Sequence, residues 1–316
     1  MIAFLLRRLL ALAATLLASS FAIFGMLYLA PGSPIAFLSG GHQLSPQALA
    51  ALQHRYGLDR PFLVRYWDWL VGSLHGDFGR SIAYNTSVGR LLAPRIVTTL
   101  GLVAYSSVLI IVAGVALGLI SGLRGGATQL IIAGATTIGI AVPSFLASIV
   151  LITVFAVNLG WFPVFGPGTG FLDGLWHLTL PAIALALAGT AYVARLSRAA
   201  IAEELARDHV RTARGRGLPA GHVIRRHVVR NAMVPISTVA GLTVAGLIAG
   251  VAIIETAFGL SGIGSFLVES VTSKDFPVVQ AIALILVTAF VVVNTIVDML
   301  YSVLDPRIAL GARTTA

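Results

Sequence analysis

Cysteine is absent from the 316-residue sequence, lysine occurs once, and only 10% of the residues are charged, whereas 57% are hydrophobic. The lack of cysteine excludes disulfides, thiolate metal sites and cysteine nucleophiles. A soluble domain carries about a quarter charged residues, so the low charge excludes a soluble globular enzyme. The high apolarity also excludes a disordered chain. The net charge is +9, and on so hydrophobic a chain excess arginine indicates membrane orientation rather than nucleic-acid binding.

Motifs for nucleotide binding and covalent catalysis are missing as well. No glycine run precedes the single lysine, Lys274, so the sequence lacks a phosphate-binding loop. The segment Gly259–Gly264 fails the Gly-x-Ser-x-Gly pattern because position 263 is isoleucine. No predicted span has a histidine in its interior, which leaves an intramembrane serine protease without a base. We therefore predict no catalytic, cofactor-binding or metal-binding residue in this chain.

Long intervals without charge are the strongest pattern in the sequence. At 1.5 Å per helical residue, 21 to 28 residues reach roughly 32–42 Å, which is enough to cross a bilayer core of about 30 Å. The runs are continuous and do not alternate, so they predict helices rather than barrel strands. We expect six transmembrane helices, over residues 9–30, 96–123, 128–159, 174–194, 231–254 and 276–297.

The distribution of cations predicts the orientation. With the N-terminus in the cytoplasm, fourteen arginines lie inside and seven cations lie outside, six of them in the long segment 31–95. Cytoplasmic loops carry the excess of Lys and Arg, and long loops follow this rule poorly. Both termini are therefore predicted to be cytoplasmic. In the outer segment we expect short helices over about Ser45–Gly57 and Pro61–Leu74, the second amphipathic and aromatic.

The loop after the fourth span, which we name the arginine hairpin (residues 201–234), is the most informative stretch. Nine arginines and three acidic residues lie between Arg195 and Arg230, which leaves six positive charges. Helical spacing on both sides is interrupted at Gly215, Gly217 and Pro219, so a helix, a tight turn and a second helix are predicted. The hairpin is either a simple topological anchor or a docking element; its length and glycine turn favour docking.

Three polar residues near span ends are candidates for a gate or a polar lining of a pathway: Glu255, Asn294 and Asp298. A structural hydrogen bond or ion pair is the alternative for each, because ionisable groups near span ends cost less than at the bilayer centre. Glycines recur every fourth residue in the second and fifth spans and predict close helix packing. Proline is expected to kink or start helices at Pro143 and Pro181.

Asp208–Leu218 and Arg226–Pro235 resemble the cytoplasmic EAA loop of ABC-importer permeases, in particular the peptide/nickel branch of dipeptide and oligopeptide transport systems. Departures from the general EAA pattern place Arg211 at its acidic position, Thr212 at its first alanine and its closing proline later, at Pro235. The ordered set of matching segments is specific to this family. The other matching segments are Tyr56–Pro61, Gly76–Ser81, Val142–Phe145, Glu255–Phe258, Gly262–Gly264, Asp275–Gln280, Asp298–Tyr301 and Leu304–Arg307.

The resemblance implies a non-catalytic permease of a bacterial inner membrane that forms half of a translocation pathway. Its implied partners are a second, homologous permease chain, two cytoplasmic ATPase subunits that bind ATP and Mg, and an extracytoplasmic solute-binding protein. Relatives of this type handle dipeptides, oligopeptides, glutathione, nickel complexes or haem. The resemblance assigns coupling to the ATPases to Arg211, Thr212, Ala213, Arg214, Gly215, Gly217 and Leu218.

These patterns together predict an all-α membrane protein with an N-terminal anchor helix over residues 1–31. An extracytoplasmic insertion is predicted over 32–95, a five-helix transport domain over 96–308 and a C-terminal tail over 309–316. The alternative function is a self-sufficient secondary carrier or channel. It is disfavoured because the sequence has neither a deep intramembrane carboxylate nor clear inverted repeats.

Overall fold

A computed structural model describes residues 2–29, 45, 47, 59–166 and 168–304, and within these ranges the chain is helical without a β-strand. The predicted all-α class is therefore confirmed. Of the predicted helix over Ser45–Gly57, only residues 45 and 47 are among the described residues, so the prediction is not tested. The helices formed by the described residues are α1 (Ile2–Leu29), α2 (Phe62–Leu74), α3 (Val88–Leu123), α4 (Ala127–Ala141), α5 (Ser144–Asn158), α6 (Gly170–Ala206), α7 (Asp208–Gly215), α8 (Ala220–Ala257), α9 (Ile263–Thr272) and α10 (Phe276–Leu304).

Five of these helices, α1, α3, α6, α8 and α10, are long and apolar enough to cross a membrane. The remaining predicted span is the pair α4 and α5, which is bent by 106°. The bend falls at Val142 and Pro143, both in extended conformation, because the proline cannot donate a helical hydrogen bond. Pro143 thus precedes the start of a helix, one of the two outcomes predicted for it. Pro181, by contrast, lies inside α6, which continues to Ala206.

The described residues divide into two compact units. One contains residues 2–6, 100–260 and 292–304, and the other contains 7–99 and 261–291. In the first unit, α6 packs against α4, α5, α8 and the second half of α3. Its apolar core includes Leu180 of α6 and Val251 of α8, both nearly inaccessible to solvent.

Close packing of α3 on α6 depends on glycine. Cβ atoms added at Gly114 and Gly122 would lie 2.9 Å from Val193 Cβ and 2.8 Å from Ile201 Cγ2. At Gly118 the approach is closer still, since an added Cβ would lie 2.3 Å from the Cβ of Ser197. The glycine repeat therefore brings two helices of the same chain into contact, as the four-residue spacing predicts.

In the second unit, α2 packs against α1 through aromatic rings. The ring of Phe24, which is buried, lies 5.3 Å from that of Phe62 and 5.5 Å from that of Trp69. The hydroxyls of Ser20 and Tyr66 share a hydrogen bond of 2.9 Å. The helix predicted from Pro61 to Leu74 is confirmed, with Pro61 at its N-cap, where a missing N–H costs nothing.

The segment after α2 is held by a buried carboxylate in the same unit. Asp275, which lies just before α10 and is fully buried, accepts hydrogen bonds from the Ser81 hydroxyl and from the backbone N–H groups of Ile82 (3.1 Å) and Ala83 (3.2 Å). Three donors compensate the desolvation of this carboxylate. Nearby, the Tyr84 hydroxyl donates to Glu269, which raises the pKa of the Tyr84 phenol.

Candidate functional site

The turn of the arginine hairpin has a defined capping geometry. Helix α7 ends at Gly215, and Gly217 takes a left-handed conformation with φ of +74°. The N–H of Gly217 bonds the Arg214 carbonyl at 2.9 Å, and the N–H of Leu218 bonds the Ala213 carbonyl at 3.4 Å. This pair of bonds is a Schellman cap, which requires a left-handed residue and so favours glycine. The predicted helix, tight turn and second helix are confirmed.

Within the arginine hairpin, apolar side chains pack α7 against the end of α6 and the first part of α8. Val210 of α7 and Val228 of α8 are completely buried in a cluster that includes Ile201 and Ile236. Ala213 belongs to the same cluster and is only 5% exposed. The small side chain of Ala213 therefore permits close packing inside the hairpin, rather than offering a surface to another molecule, because the α7 helix turns this position inward.

The outer face of the hairpin is exposed and cationic. Apart from Ala213, every residue that the resemblance assigns to coupling is exposed; these are Arg211, Thr212, Arg214, Gly215, Gly217 and Leu218. Leu218 is an exposed apolar side chain at the tip, with 39% of its surface accessible. A capped tip with small residues, one exposed leucine and surrounding arginines is accessible to another molecule.

A polar network that was not predicted from the sequence lies at the base of the arginine hairpin. Glu204, at the end of α6, is only 5% exposed and is contacted by Arg207, His209 and Asn231. The neighbouring Glu203 is exposed and accepts a bond of 3.0 Å from Arg207, which raises the pKa of that arginine. The only sequence signal was two adjacent acidic residues within an arginine-rich stretch.

The three candidate pathway residues occupy different environments. Glu255 of α8 is completely buried within the chain. Asn294 of α10 is half-buried, and Asp298 lies on the same helix with its side chain outside the described residues. Their roles as gate or lining residues stay predictions. Within the described ranges, no three His, Asp or Glu side chains are placed to hold a metal ion.

Comparisons with known proteins identify the kind of molecule that carries this hairpin. The family model described as "Binding-protein-dependent transport system inner membrane component" matches residues 114–310, and that of the N-terminal membrane component of the same systems matches residues 1–103. The dipeptide transport system permease protein DppB of Alkalihalophilus pseudofirmus is 33% identical, covering 98% of this chain and 99% of that protein. The glutathione transport system permease protein GsiC of Salmonella choleraesuis is 34% identical, with the same coverage of both chains.

Two solved structures share the fold. An amino acid ABC transporter, crystallised with histidines, has a TM-score of 0.52 at 19% identity and covers 69% of this chain and 94% of that one. The inward-facing MetNI methionine ABC transporter has a TM-score of 0.54 at 17% identity and covers 68% and 96%. The fold is thus that of the membrane-spanning subunits of ABC transporters.

The chain belongs to the binding-protein-dependent transport system inner membrane component family. It is a multi-pass permease of an ABC importer in the bacterial inner membrane, and it works in a complex with ATPase subunits. ATP hydrolysis takes place in those separate subunits and not in this chain. Between the two functions that the sequence left open, the permease is confirmed over the self-sufficient carrier or channel.

Proposed function

We propose that the chain forms half of a pathway that admits dipeptides, oligopeptides or similar small solutes to the cytoplasm. Two relatives at 33% and 34% identity are named for dipeptide and glutathione transport, and glutathione is itself a small peptide. The second half of the pathway is a homologous permease chain. An extracytoplasmic solute-binding protein delivers the cargo, and two cytoplasmic ATPase subunits bind ATP and Mg.

The arginine hairpin is the element that the ATPase subunits move. The observation that supports this role most directly is its two-sided construction, with an apolar inner face anchored to α6 and α8 and an exposed cationic outer face. A push on the outer face is transmitted to two membrane-spanning helices, because the inner face is packed too tightly to absorb it. This role requires the hairpin and both termini to be cytoplasmic, as the arginine distribution predicts.

Transport needs two packings of the permease, one open to each side. Moving such an equilibrium from 1:99 to 99:1 takes about 5.5 kcal/mol of differential binding. ATP binding closes the partner subunits, and the movement of the hairpin couples this closure to the packing of the membrane helices.

Charge reversal on the outer face tests the docking role. We expect Arg211→Glu combined with Arg214→Glu to abolish co-purification of the ATPase subunits, because both side chains are exposed and the ion pair of Arg211 with Asp208 is only a surface contact of 4.0 Å. The matched control is Arg90→Glu, an exposed arginine in the segment predicted to be extracytoplasmic. Equal retention of the ATPase subunits by both variants would contradict the proposed role.

Uptake into vesicles tests the cargo. The complete transporter, reconstituted with its binding protein, is expected to accumulate radiolabelled dialanine when ATP is supplied, and unlabelled glutathione is the competitor that reports how broad the selectivity is. Accumulation of a nickel chelate or haem without dialanine uptake would refute the peptide assignment while leaving the permease role intact.

A further inference from the structure

A single buried carboxylate lies where the arginine hairpin meets the membrane helices. Glu204 is the third residue from the end of α6, and its partners come from three different places in the chain. Arg207 follows α6 directly, His209 lies in α7, and Asn231 lies in α8. The Glu204 side chain therefore connects α7 to the end of α6 and to α8 within the arginine hairpin.

Three side chains share the Glu204 carboxylate as a partner, and His209 Nε2 also lies 3.3 Å from the His227 carbonyl oxygen and 3.4 Å from Asn231 Nδ2. Arg207 Nε donates to Glu204 Oε2 at 3.0 Å, and the His209 Nε2 lies 3.2 Å from Glu204 Oε1. The amide nitrogen of Asn231 donates to Glu204 Oε1 at 3.1 Å and to the His227 carbonyl at 2.9 Å. Both N–H groups of Asn231 are thus used, which fixes its amide orientation, since the reversed amide would place an oxygen against the carboxylate.

A simple helix cap does not account for this network. Glu203, one residue earlier, already pairs with Arg207 and is 72% exposed at its side chain, as surface pairs on helices usually are. Glu204 is desolvated, and two of its three donors come from α7 and α8 rather than from its own helix end. Burial of a carboxylate is costly unless several donors compensate it, so the network holds these elements in one relative arrangement.

We propose that Glu204 is a positioning residue for energy coupling, and that with Asn231 and His209 it transmits movement of the arginine hairpin to α6 and α8. The inference rests on the proposed function, in which ATPase subunits push on the hairpin. Loss of the Glu204 carboxylate leaves the exposed docking face of α7 unchanged. The ATPase subunits then remain bound, but their closure no longer reaches α8.

The test compares Glu204→Gln with Glu203→Gln in the assembled transporter. Hydrogen exchange of the α8 amides at residues 230–240 is measured in the nucleotide-free complex and in the complex trapped with ATP and vanadate. In the wild type and in Glu203→Gln we expect the two states to differ. In Glu204→Gln we expect that difference to shrink by at least about fivefold, the lower end of typical coupling between sites, with ATPase subunits still co-purifying.

Asn231→Ala provides a second variant should Glu204→Gln fail to fold, because Asn231 is exposed and its truncation leaves no cavity. We expect the same loss of response, and no further loss in the double variant, since both changes interrupt one connection. The inference is overturned if the nucleotide-dependent difference in hydrogen exchange is as large in both variants as in Glu203→Gln. It is also overturned if the variants release the ATPase subunits, or if the wild-type complex shows no such difference in α8. Failure of the Arg211 and Arg214 charge reversal to release those subunits would instead refute the proposed function.

Discussion

Replacing Gly118 by alanine perturbs the closest helix contact described in the first unit. The new Cβ would lie 2.3 Å from Ser197 Cβ, 2.8 Å from the Ala194 carbonyl oxygen and 3.2 Å from the Arg198 nitrogen. Carbon atoms in contact prefer a separation of about 3.5–4.0 Å, so α3 and α6 must move apart by roughly 1 Å or more. Two of the three neighbours are backbone atoms, which cannot turn aside as a flexible side chain can.

The expected cost is about 1–3 kcal/mol, as for overpacking of a tight core. Alanine gains up to about 1 kcal/mol over glycine in helix propensity, which offsets only part of that cost. Gly134 is the matched control because it also lies inside a helix, α4, and an added Cβ there meets nothing within 4 Å. Thermal unfolding in detergent should show a lower Tm for Gly118→Ala and an equal or higher Tm for Gly134→Ala. Equal Tm values for the two variants would refute the packing argument.

Three other predictions concern the turn and the second unit. At Gly217, alanine should reduce ATP-driven transport more than asparagine, because Asn tolerates a left-handed φ that costs other residues about 1–2 kcal/mol; equal transport by both would contradict this. Asp275→Ala leaves the Ser81 hydroxyl and two backbone N–H groups without their acceptor, at a cost of about 1–3 kcal/mol each. Proteolytic cleavage of the segment after residue 75 should therefore be faster in this variant. An unchanged cleavage rate would contradict the prediction. Glu269→Gln should lower the raised pKa of Tyr84 toward 10.0 in an absorbance titration corrected with Tyr84→Phe. Because the folded pKa is raised, the stabilisation by this bond is present below pH 10 and is lost as the pH rises through the folded pKa.

The charge-free intervals predicted which segments are long and apolar enough to cross the membrane, but they did not predict where each helix begins and ends. The interval 96–123 marks the second crossing, but α3 begins at Val88 and includes Pro94. Similarly, α6 extends beyond the interval 174–194 to Ala206. The length of a charge-free run corresponds to the thickness of the hydrocarbon layer, whereas the helix that contains it can continue through the polar interface and beyond it. Intervals of this kind therefore place the crossings, and capping residues place the ends.

The hairpin was predictable in outline because its signals are local. Gly217 takes the left-handed conformation that its position after α7 requires, and this follows from glycine chemistry alone. The inward orientation of Ala213 depends on how α7 rotates against α6 and α8, which no local pattern specifies. Glu204 and Asn231 are 27 residues apart, so only the folded chain brings them together. Local chemistry thus predicted the turn, while tertiary packing determined which face is available to a partner.

The docking of ATPase subunits on the arginine hairpin is tested most directly by crosslinking. The chain has no cysteine, so Thr212→Cys introduces a single thiol on the exposed face of α7, and Gly125→Cys introduces one in a different exposed loop as the control. We expect a short thiol-to-amine crosslinker to join Thr212→Cys, but not Gly125→Cys, to an ATPase subunit in the assembled transporter. The docking role would be contradicted by two results together: no crosslink forms from Thr212→Cys, and its thiol reacts with a bulky maleimide as fast in the complex as in the isolated chain.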